Sequence, residues 1–401
     1  VTDSIENAGG SAATSQPWWQ TLPADYHRQP QDTPMHLAHP FKVAASAAVD
    51  YGLRTGLATA VCAAMLPNFG PRGLAREKAL YPFYQGMADR RQREEVFVTP
   101  PRHIPVAAVP LQVPALAAIG ATVHQLSFDS PYQALHPEVR EDYAKRRRNF
   151  RAQAQHWTHG DRPRRTLIFV HGYSLDAYWI NSQMFSLRWF FRQGWDIVLF
   201  TLPFHGKRRG RFDPFSGYGY FSQGFAQTSE AMLQSIYELR IVMSHLQDQG
   251  VPGMGMSGLS LGGYLTALMA SVDDRLAFAI PNAAVVSPAD MLMEWPPLST
   301  VLTPFMPLAG LTIQDLRHIT ALHSPLTWTP VIAPERLLII AGAGDRFTAP
   351  RYQTLLHRHW PGSQLHWFPG NHVVHLHQRE YLRLMRNFMD RCLPDERCNA
   401  I

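Results

Sequence analysis

Apolar and polar residues alternate with period two over residues 123–128 and 150–157, which predicts two half-buried strands. Residues 166–170 form a continuous apolar run instead, as a strand does when a parallel sheet covers both its faces. A second buried strand is predicted at 196–200, and further strands at 253–257, 277–280, 336–341 and 364–368. Helical patterns fall at about 181–193, 226–248, 261–270 and 373–391. Edge strands followed by strands and helices in alternation predict an α/β chain with a doubly wound, mostly parallel sheet.

Two regions break this rhythm. Residues 287–334 carry eight prolines among apolar residues such as Met291, Met293, Trp295, Phe305 and Met306. They predict a short irregular insertion that caps a site, with Met291 and Trp295 facing substrate. Upstream of the sheet, residues 1–17 are polar and small and predict a disordered tail. Residues 18–40 predict an extended arm that packs Trp18, Trp19 and Tyr26 elsewhere. Residues 41–66 are alanine-rich and long enough to span a membrane, yet Lys42, Asp50 and Arg54 interrupt them. A buried or interfacial helix is therefore expected, with peripheral membrane contact left open. Residues 74–98 look helical, and the five prolines of 98–114 read as a linker or a surface-hugging extended segment. The expected organisation is thus a helical and extended N-terminal extension over 18–115 and a main domain over 116–401.

Composition narrows the classes. The 401 residues are 46% hydrophobic and 17% charged, which is a globular balance. The net charge of +6 is spread out, apart from runs at Lys145–Arg148 and Lys207–Arg211. No RNA- or DNA-binding motif surrounds those runs, so solvated faces are expected and no nucleic-acid partner. The basicity permits attraction to anionic lipid or an acidic substrate without requiring either. Of three cysteines, Cys62 reads as a buried apolar residue, while Cys392 and Cys398 could bridge in an oxidising compartment. No zinc-type cysteine pair and no secretory signal pattern is present, which points to a cytoplasmic protein; a signal already removed would leave the same sequence.

The chemistry centres on Gly258-Leu259-Ser260-Leu261-Gly262. Glycines two residues either side of a serine suit a sharp strand-to-helix turn that lifts the hydroxyl clear of the backbone. The preceding strand and following helix supply the required context. Ser257 lacks the flanking pattern. Such a serine needs a histidine base oriented by a carboxylate, in the order serine, acid, histidine. Asp345 follows the strand 336–341 and His372 follows the strand 364–368, which places both on the same sheet edge as Ser260. Asp290 and Glu294 are the competing acids. His375 and His377 compete with His372, and the three could suggest a metal site, but no carboxylate arrangement completes one. The oxyanion needs two N–H donors: Leu261, directly after the serine, and Tyr173 in His171-Gly172-Tyr173-Ser174 after the strand 166–170. Tyr173 also faces substrate in this reading. His171 and His205 are expected to fix their loops.

With these motifs, residues 120–392 resemble the α/β-hydrolase superfamily. The resemblance implies a Ser260–Asp345–His372 triad and no cofactor. The Met254–Gly263 stretch and the Pro203–Arg208 loop are similar to the abhydrolase-domain-18 type, while the His171–Ser174 loop departs from that group's pattern. The expected activity is serine-dependent hydrolysis of a carboxylic ester, with a small-molecule or lipid ester as substrate. Thioester or amide hydrolysis and acyl transfer use the same triad. A non-catalytic, membrane-associated binding protein is the expectation from another class. Oligomeric state is not legible.

Overall fold

The structure, a computed structural model, describes residues 16–30, 40–65 and 70–394. The expected disordered tail lies almost wholly outside them, as does Cys398. Its strands are β1 (Ala107–Leu111), β2 (Thr122–Asp129), β3 (Arg151–Thr158), β4 (Thr166–Val170), β5 (Asp196–Thr201), β6 (Met254–Leu259), β7 (Leu276–Asn282), β8 (Leu338–Gly342) and β9 (Gln364–Phe368). They form one sheet in the order β1-β2-β3-β5-β4-β6-β7-β8-β9. β1, β2 and β3 pair antiparallel up to β5, and the remaining pairings are parallel.

The continuous apolar run of β4 has its predicted cause. Ile168 and Val170 enter the core on one face of the sheet. Leu167 and Phe169 enter the core on the other. The helices that cover these faces and build the site are α1 (Pro40–Met65), α2 (Pro71–Arg90), α3 (Phe225–Asp248), α4 (Leu261–Met269), α5 (Pro288–Glu294), α6 (Leu298–Leu308), α7 (Ile313–Ala321), α8 (Pro350–His359) and α9 (Gln378–Cys392). α3 and α4 contribute to the first core and α9 to the second. From β4 the chain moves to β5 on one side and returns to β6 on the other. That reversal creates a switch point, beside which open sheets of this kind hold their ligands.

Of the two readings of residues 98–114, the extended segment is the one that holds, because they contain β1, which pairs with β2 from Ala107↔Ser127 to Leu111↔Val123. Pro110 is tolerated there because β1 is the edge strand, where a missing N–H costs no ladder bond. The sheet therefore begins before residue 115. The 287–334 insertion is not irregular but holds α5, α6 and α7. α7 starts from a capping box in which Thr312 and Asp315 satisfy each other's backbone N–H groups.

The N-terminal extension is built into the core. Tyr84 of α2 donates to Glu230 Oε1 of α3 (2.7 Å), and the same carboxylate accepts from Tyr132 O–H and from the N–H groups of Leu135 and His136. Trp19 is buried and stacks on His318, and Tyr26 donates to the Arg351 carbonyl, so the arm's aromatics do pack elsewhere. Cys62 is buried as expected. Among the described residues no helix is long and apolar enough to cross a membrane.

Candidate active site

β6 runs straight into Ser260, whose backbone sits at φ 57°, ψ −113°. A non-glycine residue there is strained, and surrounding bonds must hold it. The Ser260 N–H donates to Asn282 O (3.0 Å), and its carbonyl accepts from Tyr264 N (2.9 Å) and Val285 N (3.2 Å). The flanking glycines are required by space. A Cβ at Gly262 would lie 2.0 Å from Val170 O, and one at Gly258 would lie 2.5 Å from the Gly262 backbone. Ser257 is buried and donates its hydroxyl to Ile280 O (2.9 Å), so it belongs to the sheet.

Parallel pairing places Val170 of β4 opposite Gly258 of β6. The loop after β4 therefore emerges beside the serine turn. A Cβ at Gly172 would stand 3.5 Å from the Ser260 Cβ. Among the described residues, no protein group accepts from the N–H of Tyr173 or of Leu261. His171 holds this loop: Nδ1 bonds Gly172 O (2.8 Å) and Nε2 accepts from Leu202 N (3.1 Å), which fixes the proton on Nδ1. His205 Nδ1 bonds Pro203 O (2.7 Å), and its ring packs against those of His171 and Tyr173. Burial holds both histidines below the ordinary value, and for His205 the neighbouring His171 adds to it. Of the basic run, Arg208 is buried in a bidentate pair with Glu238, whereas Lys207, Arg209 and Arg211 are exposed.

Asp345 and His372 lie on the loops after β8 and β9 and meet directly. Asp345 is buried, and its Oδ1 accepts from the N–H groups of Phe347 and Thr348, both at 2.8 Å. Its Oδ2 accepts from Thr348 Oγ1 (2.9 Å) and from His372 Nδ1 (2.8 Å). The His372 ring is buried against Phe347, at 4.7 Å and nearly parallel. Burial alone would lower the His372 pKa, but the carboxylates of Asp345 and Asp50 outweigh it and hold the ring above its ordinary value. The structure brings the predicted acid and base together. It forms no hydrogen bond between Ser260 Oγ and His372.

The competing residues are engaged elsewhere. Asp290 forms a fully buried pair with Arg317 (2.6 and 2.8 Å) and accepts from Ser287. Glu294 bonds Tyr352 O–H and faces Arg351. His375 bonds Tyr381 O–H (2.6 Å) and the His372 carbonyl (3.3 Å), and burial pushes it down to about 4. His377 faces Glu380 at the start of α9.

Tyr173, Met291 and Trp295 do come together. They pack with Phe347, with Leu298 of α6 and with Ala58 of α1 in one apolar cluster. Trp295 Nε1 donates to Phe347 O (3.1 Å), which ties the cap to the acid loop. The helix insertion and α1 thus pack against Phe347, which in turn stacks on the His372 ring. Phe347 and Asp50 were not anticipated. Phe347 stands two residues after the acid, a position that could have been flagged. Asp50 was visible only as a charge interrupting an apolar helix.

Two surface cavities of about 410 and 430 Å³ lie away from this centre, one beside Phe97 and Tyr132, the other beside Glu77 and Arg146.

A mostly parallel sheet with a serine turn at its switch point and an acid and a histidine after its last two strands defines an alpha/beta hydrolase. The chain belongs to the family described as alpha/beta hydrolase domain containing 18, whose model matches residues 85–291, just over half of its length. It is 29% identical over 236 residues to an uncharacterized protein found in two strains of Mycobacterium tuberculosis, a match covering 56% of this chain and 53% of that protein. The chain thus spans about half the length of the curated relatives it matches. In structure it is similar to acetyl xylan esterase 1 from Thermoanaerobacterium sp. JW/SL YS485, with a TM-score of 0.52 at 15% identity, covering 78% of this chain and 93% of that one. An acetyl xylan esterase from Paenibacillus sp. R4 is similar with a TM-score of 0.51 at 13% identity and the same coverages. At these identities the likeness concerns the fold.

Proposed function

We propose that the protein hydrolyses carboxylic esters, with Ser260 as nucleophile, His372 as general base and Asp345 as the acid that orients it. The observation that carries this reading is the 2.8 Å bond from His372 Nδ1 to Asp345 Oδ2, on the same sheet edge as the strained Ser260 turn. With its Nδ1 proton committed to Asp345, His372 presents the Nε2 lone pair to the Ser260 hydroxyl. That contact closes when substrate is bound, as catalytic hydrogen bonds commonly do. Ser260 Oγ attacks the acyl carbon as His372 takes its proton, and the free N–H groups of Leu261 and Tyr173 receive the oxyanion. The imidazolium, held by Asp345, returns the proton to the departing alcohol. Water, deprotonated by His372, then attacks the acyl carbon, and the imidazolium returns that proton to Ser260 Oγ as the bond to the acid breaks. Every step uses side chains and backbone of this chain, and no cofactor enters.

The cluster of Tyr173, Met291, Trp295 and Phe347 suits an apolar acyl group. A panel of p-nitrophenyl esters tests this. Wild type is expected to favour octanoate over acetate in kcat/KM. Trp295→Ala should lower the octanoate value about tenfold and the acetate value by less than about threefold, the worth of one large apolar contact. Equal loss on both esters would remove Trp295 from the acyl site. A thioester or an acyl acceptor other than water would use the same groups.

One observation favours peripheral contact with a membrane as well. Over residues 43–63 of α1, the only two charges, Asp50 and Arg54, are buried, whereas Val49, Tyr51 and Leu53 are about half exposed. In flotation with vesicles, the wild type is expected to rise with the lipid and a variant with serine at those three positions to stay below. Equal behaviour of the two argues against contact through these residues.

A further inference from the structure

α1 lies outside the stretch that matches the family model, yet its buried face grips both loops of the candidate active site. Asp50 is completely buried, and its Oδ2 accepts from the N–H of His372 (2.9 Å) and from the N–H of Arg346 (3.0 Å), the residue after Asp345. One carboxylate oxygen therefore joins the acid loop to the base loop. One turn later, Arg54 donates to the Arg346 carbonyl (2.6 Å). One turn earlier, the Ser46 carbonyl accepts from Asn371 Nδ2 (2.6 Å), next to His372. The approach is close: a Cβ at Gly344 would meet Ser46 Oγ. Residues 46, 50 and 54 share one helix face because they are spaced by four.

An apolar residue at position 50 would satisfy none of these N–H groups, and a buried charge is costly unless it does something in return. We propose that Asp50 is a positioning residue for the reaction, setting the spacing of the Asp345 and His372 loops through their backbones and supporting the His372 imidazolium with its charge. The inference rests on the ester-hydrolase reading above. The charged and titratable groups around it are Asp345 and Arg346 from the loop after β8, His372 from the loop after β9, and Arg54 from α1, which Tyr51 faces. Glu294 of α5 acts on Arg54. Burial, and then repulsion from Asp345, push the Asp50 carboxyl up to about 6, so its charge is present at neutral pH.

The sign of its effect on His372 follows. Asp50 raises the His372 pKa, and His372 must be neutral to take the serine proton. Removing the charge lowers that pKa and moves the acid limb of reactivity to lower pH. Asparagine keeps an acceptor for both N–H groups and removes the charge, whereas alanine removes both.

The test is the rate at which a fluorophosphonate probe labels the full chain, followed against pH in wild type, Asp50→Asn and Asp50→Ala, with Ser260→Ala as control and thermal unfolding measured on each. Asp50→Asn is expected to keep the plateau rate within about threefold and to shift the acid limb down by about half a pH unit or more. Asp50→Ala is expected to lose about tenfold or more at the plateau. A purely structural role would lower both melting temperatures and leave the acid limb in place. The proposal is overturned if the acid limb of Asp50→Asn coincides with wild type, or if Asp50→Ala keeps the full plateau rate. Loss of Ser260-dependent labelling in wild type itself would overturn the underlying reading. Normal labelling with unmoved Asp50 variants would overturn this inference alone.

Discussion

Ser260→Ala is expected to reduce ester hydrolysis by at least about a thousandfold, with the fold intact. Alanine removes Oγ and nothing that packs. Ser260 is only partly buried, and the bonds that hold its turn come from its own N–H and carbonyl. Alanine also meets the same backbone strain as serine at φ 57°. The melting temperature should therefore change by no more than about two degrees. Residual activity should come from the N–H groups of Leu261 and Tyr173 and from water activated by His372. Initial rates on a p-nitrophenyl ester together with a thermal scan check both halves. Hydrolysis at the wild-type rate would exclude Ser260 as nucleophile.

Asp345→Asn should cost nearly as much, about a thousandfold to ten-thousandfold in kcat, for a different reason. The asparagine carbonyl can still accept from Phe347 N and Thr348 N, as Asp345 Oδ1 does. Its amide nitrogen would then replace Oδ2, 2.8 Å from His372 Nδ1. Two donors cannot face each other there, so His372 would move its proton to Nε2. An Nε2–H cannot accept the serine proton. The lost carboxylate also removes the main charge that raises the His372 pKa, so the imidazolium formed during attack loses its support. KM should change little, because Asp345 is buried behind His372. A kcat within tenfold of wild type would separate Asp345 from the reaction. The parallel expectation for Asp290→Asn is a loss of stability, since it would leave Arg317 buried with a weakened partner.

Much of this centre was legible from residue type and order. Buried parallel strands announce themselves as uninterrupted apolar runs, and their loops fall on one edge, so the sequence order alone puts Ser260, Asp345 and His372 on that edge. The glycine pattern was informative because backbone clashes enforce it at Gly258 and Gly262. β1 was hidden because Pro110 argues against a strand everywhere except at an edge, and edge position is a tertiary fact. The cap helices were hidden by their prolines: Pro304 and Pro307 lie inside α6. Asp50 was hidden most thoroughly. In a helix whose remaining residues are apolar or small, a charge reads as a break in a membrane-like segment. Here both described charges, Asp50 and Arg54, point inward to bind loops some 300 residues away.

The central claim is that Ser260 is the reacting nucleophile. It is tested most directly by reacting the full chain with a fluorophosphonate and locating the adduct by mass spectrometry of its peptides. The account predicts one stoichiometric adduct on Ser260, absent from Ser260→Ala and formed far more slowly in Asp345→Asn. An adduct on another serine, or equal labelling of wild type and Ser260→Ala, would contradict it.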